Sequence, residues 1–329
     1  MKALNWIVIC LSLGMMGSVL SPTTYADSTA ARTAGNQPAL DQALELVKRG
    51  EFEKALPLLR SLGDQGNAQA QDVLGYMYGS AHGVAADFGQ AIFWYRKAAE
   101  QGVADAQFNI GLAYANGQGI SKDDKQAFLW FRKAAMQGEM RAQYNLGIFY
   151  AEGVGVPKSA VDAVNWYRKA AELGYPAAQF ILGTMFDKGE GVPQDAEQAV
   201  TWYRKSALQG YPQAQFNLGE SYYAGSGLPK DKEQAIVWFR KAAENGDARA
   251  QYNLGELYRT GNNIGRDTAQ AIGWFQKAAN QGFARAQYKL GLMYDSGDGV
   301  PKNPDQAATW YRKAAEQGDP DARRKLGVL

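Results

Sequence analysis

The chain has 329 residues, with 35 Lys and Arg against 33 Asp and Glu, a formal net charge of +2. That balance gives no electrostatic reason to expect a nucleic acid or an acidic polymer as partner. One Cys and one His exclude the all-cysteine, mixed cysteine–histidine and all-histidine metal sites, and leave His82 as the only imidazole for a catalytic triad.

The first 26 residues read as an address. Met1-Lys2 precedes an apolar stretch from Leu4 to Leu20, and Thr24-Tyr25-Ala26 places small residues three and one before Asp27. A basic start, an apolar middle and such a site describe a secretory signal peptide cut after Ala26. The alternative is a retained anchor, but the stretch is diluted by Asn5, Ser12, Ser18 and two glycines and is short for a span. Cleavage leaves no membrane span. It also removes Cys10, so the mature protein has no disulfide, although its compartment, the periplasm or the exterior, permits one. Residues 27–37 (DSTAARTAGNQ) are small and polar and read as a flexible leader.

A period of 36 organises the remainder. Tryptophans recur at Trp94, Trp130, Trp166, Trp202, Trp238, Trp274 and Trp310, and glycines at Gly75, Gly111, Gly147, Gly183, Gly219, Gly255, Gly291 and Gly327. Such self-similarity signals stacked units that cannot bury their apolar faces alone. Residues 38–49 read as an N-terminal capping helix and 51–329 as the repeats. In each repeat two helices are predicted. Helix A, as in Asp87 to Gly102, places Ala91, Trp94, Tyr95, Ala98 and Ala99 on one face, so the tryptophans are expected in the core. Asp87 and its equivalents Asp123, Ser159, Asp195, Asp231, Asp267 and Asn303 are N-caps, mostly with Gln three residues on in the manner of a capping box. Gly102 and its equivalents end the helix. Helix B, about Ala104 to Asn116, carries Gly111 where a Cβ has no room. The Gly-x-Gly loop after it, as at Gly117 and Gly119, has neither the strand nor the GK[ST] of a phosphate loop and reads as a helix-ending turn.

Both ends depart from the pattern. The aromatic three residues before the helix-B glycine (Phe108, Tyr144, Phe180, Phe216, Tyr252, Tyr288) becomes Arg324 in the last unit and Asp72 in the first. An aromatic that packs on the next unit has nothing to pack on at an end.

The recurring QA-x3-W-[YF]-R-K-A-A-x-Q-G, followed by A-Q-[FY]-N-L-G-x-x-Y-x-x-G-x-G-V, resembles the SEL-one-like repeat family, relatives of the tetratricopeptide repeat, over residues 51–329. The resemblance implies an all-α, right-handed superhelical solenoid of about eight antiparallel helix pairs, used as a non-enzymatic adaptor in envelope assembly, signalling or host contact. Some cysteine-rich secreted members are linked to penicillin binding and hydrolysis, which gives an alternative reading as an envelope hydrolase or wall-polymer binder. Those members staple each repeat with a disulfide, and this chain lacks the cysteines.

Little in the sequence points to chemistry. His82 reads as an exposed loop residue, Asp123-Asp124 as a helix start, and the recurring Arg-Lys pairs of helix A as a solvated face, four of the arginines having Glu at i+4. No catalytic residue, cofactor or metal ligand is assigned. The informative positions are those that do not recur. Offsets +2, +6, +9 and +13 from the N-cap form one stripe away from the Trp/Ala face, expected on the inner, concave surface of a stacked array. Phe93, Leu129, Met136, Val161, Leu208 and Val237 place apolar side chains there, beside Asn165, Arg96 and Arg132. They are the candidate residues for binding a protein or extended peptide, with a groove centred on Phe93, Leu129 and Met136 and rimmed by Arg96 and Arg132.

Overall fold

The structure is a computed structural model that describes residues 37–327. The signal-peptide reading and all but the last residue of the leader lie outside those residues. Within them the chain forms helices only. After the leading helix α1 (Gln37–Lys48), A helices alternate with B helices. The A helices are α2 (Phe52–Asp64), α4 (Phe88–Glu100), α6 (Asp124–Met136), α8 (Ala160–Glu172), α10 (Ala196–Leu208), α12 (Lys232–Glu244), α14 (Thr268–Asn280) and α16 (Pro304–Glu316). The B helices are α3 (Ala68–Ser80), α5 (Ala104–Asn116), α7 (Met140–Glu152), α9 (Pro176–Lys188), α11 (Pro212–Ala224), α13 (Ala248–Thr260), α15 (Ala284–Ser296) and α17 (Pro320–Leu326). Sequential helices pack on each other from α1 to α7 and from α9 to α17, as in a repeat solenoid. Two compact units divide between Lys169 and Ala170, inside α8, and the repeat geometry below holds within each.

Local signals set the boundaries. Asp87, Asp123, Asp195, Asp231, Asp267 and Asn303 accept from the backbone N–H three residues on at 2.9–3.1 Å. Ser159 does so from Asp162 at 3.2 Å. The second half of the expected capping box is replaced by a tertiary bond. The N-cap N–H donates to a carbonyl nine residues back in the preceding B helix, as from Asp123 to Tyr114 at 3.0 Å and from Asp231 to Tyr222 at 2.9 Å. That clamps the loop to the helix it leaves, so the Gln side chain is not required there. At the other end, Gly102 has φ +93°. Its N–H donates to Ala99 O and that of Val103 to Ala98 O, the paired bonds that close a Schellman turn.

The glycine of helix B faces a ring rather than a backbone. A Cβ on Gly111 would lie 2.7 Å from Phe131 of the next A helix, and one on Gly219 2.8 Å from Phe239. The aromatic one turn earlier packs on the same ring: Phe108–Phe131 centroids are 5.7 Å apart and Phe216–Phe239 5.6 Å. At the C-terminal end Arg324 is exposed and pairs with Asp321 at 3.3 Å, as an end position allows. Asp72 differs from that expectation. It is no solvent-facing terminus, because α4 and α5 cover it, and its Oδ1 is buried without a partner.

Two devices link successive repeats. The buried Gln of the A-Q step donates to a carbonyl in the last turn of the preceding A helix, as from Gln107 to Ala99 at 3.1 Å and from Gln251 to Ala243 at 3.0 Å. Its Oε1 then accepts from the amide that follows the next A helix, Gln137 or Gln281, at 2.8 Å. The tryptophan is the second. Trp130 packs against the cluster of Ala98 and Ala99, Trp274 against that of Ala242 and Ala243, and Trp310 joins Ala278 and Ala279. The small residues of one A helix therefore seat the indole of the next.

Candidate protein-interaction surface

Every A helix divides into a face that builds the stack and a face that the stack leaves alone. The Ala and aromatic positions of α6 (Ala127, Phe131, Ala134, Ala135) are buried. The expected place of tryptophan in the core holds for Trp94, Trp202, Trp238 and Trp310, which are buried, and is modified at the other three, whose rings lie at the edge of these faces. Trp130, Trp166 and Trp274 are only partly buried. The Lys three residues on lies over the ring, with Nζ 3.9 Å from the Trp130 centroid, 4.2 Å from Trp166 and 4.0 Å from Trp274. The lysine of each Arg-Lys pair thus covers an indole, a cation–π contact of ~0.5–1 kcal/mol at an exposed site. The W-x-x-K spacing carried this signal, and the solvated-face reading missed it. Some arginines turn to the B helix, with or without a Glu at i+4. Arg204 donates to the Tyr222 hydroxyl at 3.2 Å and Arg240 to that of Tyr258 at 3.4 Å.

The non-recurring apolar residues are exposed. Phe93 is 47% accessible, Leu129 45%, Met136 72%, Val161 59%, Leu208 70% and Val237 43%. Arg96, Arg132 and Asn165 are exposed beside them. Leu129, Arg132 and Met136 line one shallow groove of about 290 Å³ with Gln126, Trp130 and Lys133, all on α6. Phe93 and Arg96 do not line it. Phe93 lies on α4, edge-on to Trp94 at 5.0 Å and under Lys97 Nζ at 4.5 Å. The groove itself is thus lined from α6 alone, with Phe93 of the expected Phe93–Leu129–Met136 surface on the neighbouring A helix. Val161 and Asn165 lie on α8, Leu208 on α10 and Val237 on α12. Phe88 and Met140 are also exposed. They begin α4 and α7, and comparing first helical positions across repeats would have found them.

Groups capable of chemistry are few. His82 departs from the expected exposed loop: its ring is half-buried, 4.6 Å from Phe52 and 5.2 Å from Tyr76, with Nδ1 unpartnered. The α3–α4 loop folds back over α2, and Gly83 meets the Phe52 backbone there. Burial, and secondarily the Asp105 carboxylate, push the Asp72 carboxyl up to about 7 against the opposing effect of Arg141. Among the described residues no group of three or more His, Cys, Asp or Glu could hold a metal ion, and no helix is long and apolar enough to cross a membrane.

The model of the Sel1 repeat matches residues 68–103, 104–139, 141–175, 176–211, 212–247, 248–283 and 284–319. Its unit pairs each B helix with the A helix that follows, the pairing made by the glycine–ring contact. A protective antigen of uropathogenic Escherichia coli with an SLR fold is 37% identical over 88% of this chain, with a TM-score of 0.74. This chain covers 66% of that protein's length. A Sel1 repeat protein of Oxalobacter formigenes is 38% identical over 73% of this chain and 96% of its own, with a TM-score of 0.67. No curated protein matches the chain. The chain belongs to the Sel1 repeat family, helical scaffolds that generally serve as protein-interaction modules.

Proposed function

We propose that this protein is an exported, non-enzymatic scaffold that holds a protein or an extended peptide on the solvent-facing stripe of its A helices, the concave face expected of the array. One observation carries the reading. Large apolar side chains are exposed at stripe positions that vary from repeat to repeat, while the recurring apolar positions of the same helices are buried. The fold therefore has no use for a Phe at 93 or a Leu at 129, where other repeats have Asn165, Thr201 or Gly273. Isolated apolar residues on a surface are ordinary, but Leu129 and Met136 share a groove. Export rests on the signal-peptide pattern of residues 1–26, and the description of the E. coli relative as a protective antigen accords with it.

The test is crosslinking in the cell followed by capture from the envelope fraction, with the natural chain and with the Phe93→Ser/Leu129→Ser variant side by side. A protein recovered with the natural chain and lost with the variant, at unchanged helical content, supports the reading. Equal recovery with both overturns the surface. Retention on isolated cell-wall sacculi would instead favour a wall-polymer binder.

A further inference from the structure

The groove on α6 differs from the same place on every other A helix in two ways at once, and together these specify a partner. At the last position of the helix, α4, α8, α12 and α16 have Glu100, Glu172, Glu244 and Glu316. Each of those carboxylates stands four residues after an arginine, within reach of its field. In α6 that position is Met136, so Arg132 has no carboxylate at i+4. One change has exposed a thioether and left a cation uncompensated. Seven residues earlier, two helical turns along the same face, Leu129 is exposed where α8 has Asn165 and α14 has Gly273. Among the A helices, α6 alone has large apolar residues at both positions.

Charge is one-sided here. Lys125, Arg132 and Lys133 are exposed on α6, whereas its one carboxylate, Asp124, lies 3.5 Å from Lys122. We infer that the α6 groove receives an amphipathic helix of a partner protein, with apolar side chains against Leu129 and Met136 and Asp or Glu on its flanks facing Arg132 and Lys133. The inference rests on the scaffold reading above and names the partner's chemistry. Apolar anchors two turns apart, flanked by charge, are how a groove takes up a helix, and Met adapts to the anchor it meets. A basic, apolar face also resembles one that lies on anionic lipid. This one favours a helix. Its largest ring, Trp130, is already packed against the α4 alanine cluster and covered by Lys133, so it is not free to insert into a bilayer.

The probe is a fluorescein-labelled amphipathic peptide with a leucine stripe flanked by glutamates, titrated by anisotropy against the full chain. Its twin has lysines for the glutamates. The acidic peptide should bind, with an affinity that falls as salt rises, and the basic twin should bind at least about tenfold more weakly. Met136→Glu restores the residue four other repeats carry, so the fold accepts it, and it should weaken the acidic peptide by about tenfold. Leu208→Glu, the equivalent change on α10, should leave binding unchanged. Equal binding of the twins, no binding of either, or indifference to Met136→Glu overturns the inference. So does uptake of phosphatidylglycerol vesicles that Met136→Glu abolishes. If capture in the cell fails with Phe93→Ser/Leu129→Ser while the acidic peptide does not bind, the surface stands and the acidic helix falls.

Discussion

Gly255 and Gly273 both sit inside helices, on α13 and α14, and the same replacement by Ala should move stability in opposite directions. On helix propensity alone each gains ~1 kcal/mol. At Gly273 a Cβ meets nothing within 4 Å, so the gain stands. At Gly255 a Cβ would lie 2.7 Å from Phe275 Cε1, 2.8 Å from Cδ1 and 3.1 Å from Cζ. Ordinary contact begins near ~3.5 Å, so the ring must retreat by more than half an ångström. It cannot do so cheaply, because Phe275 is fully buried, has Tyr252 5.7 Å away centroid to centroid, and is enclosed by Ala271, Leu290 and Met293. Overpacking of this kind costs ~1–3 kcal/mol, which outweighs the propensity gain. Urea unfolding followed by far-UV circular dichroism should therefore show a higher midpoint for Gly273→Ala and a lower one for Gly255→Ala. Trimming the ring with Phe275→Leu should offset part of the Gly255→Ala loss, with a coupling of at least ~0.5 kcal/mol in the double-mutant cycle. If Gly255→Ala raises stability as Gly273→Ala does, the glycine is not reserved for the ring, and the account of helix pairing fails.

Gln251→Leu removes two bonds of the glutamine ladder while leaving Ala243 O the Gly246 N–H at 3.2 Å, so a loss of ~1–2 kcal/mol is expected in the same urea assay. A neutral result would reduce the ladder to a consequence of packing. Asp72 should make stability fall with pH. Its folded-state value, about 7, lies above the ordinary carboxylate, so the folded form holds the proton more tightly. The cost is absent below pH ~4, grows as pH rises and is complete above about 7. Asp72→Asn should therefore stabilise by on the order of 2–4 kcal/mol at alkaline pH and by little at pH ~4, and a pH-independent difference would refute this. Finally, intact-mass analysis of chain from the envelope fraction should find Asp27 as its first residue, whereas a chain that retains Met1 would mean that the signal peptide is not cleaved.

What the sequence revealed and what it hid have a common physical cause. Positions under a local rule were legible. Asp at a helix start, Gly at a left-handed stop and a small residue under a ring are dictated within one or two turns, and each recurs from repeat to repeat. The missed features join groups far apart in the chain. The N-cap N–H that bonds nine residues back, and the Gln amide that bonds thirty residues back, leave a recurring residue type but no sign of its partner. Asp72 was misread for the same reason: a charge in place of an aromatic resembles an end, and only the covering helices α4 and α5 make it a buried carboxyl.

The same division explains why the candidate surface could be found at all. In a repeat array each frame position is fixed by its neighbours above and below, so a change there costs stability at two interfaces. That constraint holds the ring, the glycine and the glutamine from α4 to α16, and the alanines with the one exchange for the small Ser206 in α10. Offsets +6 and +13 touch neither neighbour, so nothing in the fold selects among Phe, Leu, Asn, Thr, Val and Gly at +6, or between Glu and Met at +13. In a chain that carries its own aligned copies, the frame is the control for the surface. Leu129 and Met136 stand out because α8 and α14 build the same helix without them. A residue that is large, apolar, exposed and dispensable to the stack must be accounted for by something outside it, and the exposed Arg132 and Lys133 beside Met136 define the charge of that partner.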